Sequence, residues 1–113
     1  MDNLYLYETA VAAFEERDYR SAGQLFADLL EAEPENRNVR EYVARCHYHR
    51  AALGKAEAEL RTLLEQDPTN EYAQLLLARA LERQNRPEEA AGVRRVLAVL
   101  TGDYRHLAQH EVG

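Results

Sequence analysis

The sequence has no tryptophan, one cysteine, three prolines and five glycines in 113 residues. Each shortage closes an option. A lone thiol, Cys46, forms no internal disulfide, so the chain is no disulfide scaffold and suits a reducing, cytoplasmic setting. Few glycines and prolines beside 46% apolar residues exclude a linker-like chain and favour helix in one compact domain. No apolar run approaches the ~20 residues of a membrane span, and the opening residues carry no basic leader. Basic residues are outnumbered 20 to 14 by acidic ones, and a net charge of −6 works against nucleic-acid or anionic-membrane binding.

Catalytic signatures are also missing: there is no Gly-rich phosphate loop, no His-Glu-x-x-His, no Cys-x-x-Cys and no serine framed for a nucleophile elbow. A non-enzymatic protein without a cofactor is the expectation. Two pairs, Cys46 with His49 and His106 with His110, have helical spacing for two metal ligands each, but a transition-metal site needs three or four. Cys46 reads better as a small buried residue between helices. The carboxylates Glu31, Glu33, Glu57, Glu59 and Glu65 read as a solvated outer face.

What the chain does have is a period. Ala22, Ala56 and Ala90 stand 34 residues apart, as do Leu29, Leu63 and Leu97, and the breakers Pro34, Pro68 and Gly102. Such self-similarity means stacked supersecondary units, none able to bury its apolar face alone. Asp2, Asn36 and Asn70 keep the same spacing and are good N-caps, marking three helix starts. Apolar stripes at helical spacing follow them: Leu6, Ala10 and Ala13; Val43, Ala44 and His47; Leu77, Ala78 and Leu81. Turns are expected at Arg17-Asp18, from Ala52 to Lys55 around Gly54, and at Asn85-Arg86-Pro87, which divides the chain into six helices.

The motifs Tyr19-Arg-Ser-Ala22-x-x-x-Phe26-x-x-Leu29, Glu33-Pro34-x-Asn36, Asp67-Pro68-x-Asn70 and Pro87-Glu-Glu-Ala90 resemble those of the tetratricopeptide repeat family. The resemblance covers residues 3 to 104. It implies an all-α, right-handed superhelix of three helix-turn-helix repeats, about 3–36, 37–70 and 71–104, with residues 105–113 as a tail or capping helix. Departures are the replacement of an early aromatic by Leu6, Arg40 and Gln74, and Arg94 standing where the other repeats have Phe26 and Leu60.

In proteins this chain resembles, the first helices line a concave groove that takes a peptide or a partner's helix. The matching stripes here are Leu4, Tyr7, Val11 and Phe14 with Glu15; Asn38, Glu41, Arg45, Tyr48 and His49; and Tyr72, Leu75, Arg79 and Arg83 with Glu82. The alternative is ordinary surface, with Phe14 and Tyr48 tucked between repeats. An apolar first stripe and later arginines imply an adaptor whose protein partner has apolar and acidic segments. Arg45→Glu with Arg79→Glu is then expected to weaken binding and leave the fold intact.

Chaperone-binding family members hold a peptide's terminal carboxylate with Lys, Asn and Arg. The corresponding positions here are Tyr7, Val11, Tyr42, Tyr72 and Leu76, so that clamp is absent. A second reading comes from the sixth helix, where Val96, Val99 and Leu100 replace the polar outer residues of its predecessors. These three residues are expected to bury against a second copy in a two-fold dimer, unless the tail around Tyr104, Leu107 and Ala108 folds back over them.

Overall fold

A computed structural model describes residues 2–107. Six helices fill it: α1 (Asn3–Glu15), α2 (Tyr19–Ala32), α3 (Arg37–His49), α4 (Leu53–Gln66), α5 (Glu71–Arg83) and α6 (Pro87–Thr101), followed by a short 3₁₀ turn, Tyr104–Leu107. They occupy more than two thirds of the chain, and no strand occurs among the described residues. Each helix packs on the one before it, giving three antiparallel pairs stacked into an elongated body of 45 × 28 × 20 Å.

The 34-residue period is visible in the hydrogen bonds. The carboxamide or carboxylate oxygens of Asp2, Asn36 and Asn70 accept from the backbone N–H groups of Leu4, Val39 and Ala73 at 3.0–3.1 Å, so each first helix starts on a side-chain cap. Each first helix also ends in the same way. Arg17, Ala51 and Asn85 adopt positive φ of 60–64°, and two backbone bonds close each end, Asp18 N–H to Ala13 O and Arg17 N–H to Phe14 O in the first pair. Ala52 with His47 and Arg86 with Leu81 repeat the longer bond, which makes three Schellman caps.

The second turn is therefore not where Gly54 suggested. The chain turns at Arg50-Ala51-Ala52, and Gly54 lies inside α4, because the hydrogen-bonding period, rather than the glycine, sets the break. Holding Ala51 in the left-handed region costs an L-residue about 1 kcal/mol that glycine would not incur. Ala51→Gly is thus expected to stabilise the protein by about 0.5–1 kcal/mol, seen as a rise of a few degrees in Tm.

Within each pair, alanines let the helices approach. Ala10 and Ala22, Ala44 and Ala56, and Ala78 and Ala90 are all fully buried. Between pairs, the larger side chains Phe26, Leu29, Leu60 and Leu63 fill the core, and Leu97 is buried within the last pair. The polar replacements of the early aromatic hold the joints instead: Arg40 donates to the Pro34 carbonyl at 3.1 Å and to Glu59 at 2.7 Å, and Gln74 donates to the Pro68 carbonyl at 3.2 Å.

Of the outer carboxylates, Glu31 and Glu65 are exposed as expected, whereas Glu33, Glu57 and Glu59 are half-buried. Glu57 has only 13% of its side chain exposed, since Arg86 and Gln84 from the next turn and Arg61 from its own helix converge on it. Burial alone would raise the Glu57 pKa, but those hydrogen bonds outweigh it and hold the carboxyl down to about 2. Glu33 likewise accepts from Asn3 and Asn36.

Candidate functional site

The first helices of the three pairs, α1, α3 and α5, are joined along one face by aromatic and arginine side chains. On α3, Tyr42 stacks on the buried Phe26 ring at 4.4 Å and 5°, and meets the edges of Tyr7 and Phe14. Stacked and edge-on rings at these separations add roughly 0.5–1.5 kcal/mol per pair beyond area burial. Tyr7 also accepts a hydrogen bond from Asn38 at 2.9 Å, tying α1 to α3. Further along, the exposed His49 ring lies flat against Tyr19 at 4.3 Å.

Arg45 sits in the middle of this belt. Its guanidinium carbon lies over the rings of Phe14 at 4.6 Å, Tyr42 at 5.3 Å and Tyr72 at 5.5 Å, which come from α1, α3 and α5. Arg83 lies over Tyr48 at 4.9 Å and donates to the Tyr48 carbonyl. Arg45 is therefore half-buried and held by rings rather than fully exposed, and Arg45→Glu would put a carboxylate among ring faces. Arg79 remains exposed and makes no ion pair among the described residues.

The other stripe residues divide by depth. Tyr7, Val11, Phe14, Glu41, Tyr48 and Leu75 are half-buried, whereas Leu4, Asn38, His49, Tyr72, Arg79 and Arg83 are exposed. Phe14 and Tyr48 thus do pack between repeats while remaining part of the face. Sequence reading missed Tyr42 and Tyr19 as members of the belt. Tyr42 stands one helical turn before Arg45, a spacing that could have signalled the pair.

At the far end of this face, Arg94 donates to both carboxylate oxygens of Glu82, at 2.7 and 2.9 Å, and to the His106 carbonyl at 3.4 Å. Their side chains are 4% and 20% exposed. The column Phe26, Leu60, Arg94 and the column Phe14, Tyr48, Glu82 have thus both changed from large apolar to charged residues in the third pair, with opposite signs.

The metal pairs do not assemble. Cys46 is buried against Gly23 between α2 and α3, while His49 faces Tyr19, and His110 falls outside the described residues. Among the described residues no three His, Cys, Asp or Glu side chains cluster as metal ligands. Burial pushes the Cys46 thiol up to about 11. Partial loss of water around the His49 ring, one face of which is covered by Tyr19, pushes His49 below its ordinary 6.5, helped by Arg45, Arg83 and Arg17, and burial lowers His47 too, with Lys55 next in effect.

A sign follows for stability. With both folded values depressed, the unfolded chain takes up protons first, so stability is complete above about pH 7 and falls as pH drops through 6.5 toward the folded values. Tm is expected to be lower at about pH 5.5 than at about pH 7.5, and His47→Gln with His49→Gln should flatten that difference in calorimetry.

The sixth helix carries an apolar outer patch: Val96, Val99 and Leu100 are 46%, 75% and 38% exposed and line a shallow depression with Arg95. The 3₁₀ turn does not cover it, and Tyr104 and Leu107 are themselves exposed. Ala108 lies outside the described residues. No described helix is long and apolar enough to cross a membrane.

The fold has many solved relatives. The Arabidopsis OM64 TPR domain is 20% identical with a TM-score of 0.83, covering 96% of this chain and 95% of that one. The first TPR of Spaghetti (RPAP3), bound to the HSP90 peptide SRMEEVD, is 18% identical with a TM-score of 0.80, covering 93% and 89%. The Sgt2 TPR domain from Aspergillus fumigatus is 19% identical with a TM-score of 0.80, covering 93% and 74%. No curated protein sequence matches significantly. A family model described as tetratricopeptide repeat matches residues 13–75 and again 52–100, and these overlapping matches, on a chain of three capped helix pairs, make it a member of the tetratricopeptide repeat family.

Proposed function

We propose that the three pairs and the tail act as one non-enzymatic protein-interaction domain, which binds a partner peptide or helix along the face formed by α1, α3 and α5. The observation that carries this reading is the belt of Tyr7, Phe14, Tyr42, Tyr48 and Tyr72 with Arg45 and Arg83 over its rings. Aromatic and arginine side chains are those on which binding energy concentrates. The partner carries an apolar segment toward Leu4, Tyr7 and Val11 and acidic groups toward Arg79 and Arg83. A cytoplasmic setting accords with the one thiol being buried and unpaired.

The peptide held by the Spaghetti relative is not the expected ligand. Tyr7, Val11, Tyr42, Tyr72 and Leu76 offer no lysine or asparagine to a terminal carboxylate, so in titration calorimetry SRMEEVD is expected to bind no more tightly than its C-terminally amidated form. The test of the groove is affinity purification of the tagged protein from its host, repeated with Arg79→Glu plus Leu75→Asp. Partner recovery should fall at least about tenfold while helicity is kept. Undiminished recovery would remove the groove from consideration.

A second reading, self-association of a small scaffold through α6, is supported by the exposed Val96, Val99 and Leu100. Light scattering should then show a concentration-dependent dimer that Val96→Glu plus Val99→Glu abolishes. A monomer at all concentrations sinks this reading.

A further inference from the structure

Building on the groove reading, we propose that Arg45 is its specificity-determining residue, a guanidinium preset over rings from all three repeats to take an aspartate or glutamate side chain of the bound peptide.

The starting point is an imbalance. Acidic residues exceed basic ones by 20 to 14, and the fold spends them freely on other arginines: Arg40 has Glu59, Arg86 has Glu57 and Glu89, and Arg94 has Glu82. Arg45, Arg79 and Arg83 have no ion-pair partner among the described residues. Arg17, Arg20, Arg37, Arg50, Lys55 and Arg95 are unpaired as well, so what marks Arg45 is not the missing partner alone but its seat among rings on the face formed by α1, α3 and α5, where a counter-charge would have to arrive from outside.

Arg45 differs from its two companions in being fixed. Phe14, Tyr42 and Tyr72 surround its guanidinium within 5.5 Å, yet the group donates no hydrogen bond to any described residue, and its Nε is buried without an acceptor. Ring faces satisfy the cation's charge but not its N–H groups. The two Nη groups donate to no described residue and are not buried, and a planar carboxylate arriving from outside takes two parallel bonds from them that a lysine ammonium does not offer. Because the rings already hold the side chain, little rotamer freedom is lost on binding. Arg83 over Tyr48 adds positive potential beside it, and beyond desolvation, which is the larger cause, Arg45, Arg83 and Arg17 help to lower the His49 pKa.

The experiment uses isotopically labelled protein and two capped peptides, Ac-Leu-Leu-Ala-Glu-Glu-NH₂ and its Gln-Gln counterpart. Capping removes the terminal carboxylate, so only side-chain charge is read. The arginine Nε–Hε resonance of Arg45 should shift with the Glu peptide and not with the Gln peptide. Arg45→Lys, which keeps the charge and loses the fork, should weaken the Glu peptide about tenfold, and Arg20→Lys on the outer side of α2 should leave it unchanged. No response of Arg45 to the Glu peptide up to on the order of 10 mM, or equal binding by Arg45→Lys, overturns the proposal. The two readings separate cleanly. A host partner still lost on Arg79→Glu plus Leu75→Asp, with Arg45 silent, removes the Arg45 subsite alone, whereas an undiminished partner removes the groove itself.

Discussion

Glu82→Ala is expected to cost about 4 kcal/mol of unfolding free energy, among the largest effects of any single truncation in the chain. The reason lies in which member of the pair is deeper. Arg94 keeps 4% of its side-chain surface and Glu82 keeps 20%, so removing the carboxylate strands a buried cation, while removing the arginine leaves a carboxylate that water still reaches. Arg94→Leu should accordingly cost less, about 2 kcal/mol, because Glu82 can be rehydrated. The double variant Arg94→Leu with Glu82→Tyr, which restores the residue types of Leu60 and Tyr48, should recover most of the loss. Urea unfolding of the wild type, Glu82→Tyr, Arg94→Leu and their double variant closes a thermodynamic cycle, and simple additivity of its two single losses would show that the pair is not coupled.

Phe26→Ala is the other large expectation, about 3–5 kcal/mol, against a total stability of roughly 5–15 kcal/mol for a domain of this kind. Phe26 is fully buried, packs between α2 and α3, and supports Tyr42 by a stack at 4.4 Å. The loss therefore has two parts: a cavity in the first core cluster and a freed Tyr42 ring, on which Arg45 depends. The urea midpoint should fall at nearly constant slope. Weaker binding of the Glu peptide at temperatures where the variant is still folded would show the second part separately.

The fold was legible because its punctuation is local. Asp2, Asn36 and Asn70 cap helices with their own side chains, and the 34-residue alanine columns predict close helix pairs without any distant information. The middle turn was misplaced for an equally local reason: glycine at position 54 is a strong turn signal, but the left-handed residue is Ala51, whose chemistry gives no hint of it. The site was legible only as stripes. Arg45 meets Tyr42 on its own helix, but Phe14 and Tyr72 reach it only once three pairs have stacked, so no spacing within one helix reveals the belt. The Glu82–Arg94 pair was within reach. Arg94 stood out in its column, and comparing the Phe14, Tyr48, Glu82 column beside it would have shown two opposite charges entering together.

The buried thiol of Cys46 gives the molecule a clock. Held against Gly23 in the seam between α2 and α3, with its pKa pushed up to about 11, it is nearly inert toward a thiol reagent at neutral pH while the seam stays closed. Every reaction event then counts one parting of the first pair from the second. Since the sequence contains no other cysteine, the labelling rate read against that of the unfolded chain yields the opening free energy of a single joint, at native conditions and without an engineered probe. A ligand that bridges α1 and α3 across that joint would slow the clock, so its occupancy can be timed from the opposite side of the helix it binds.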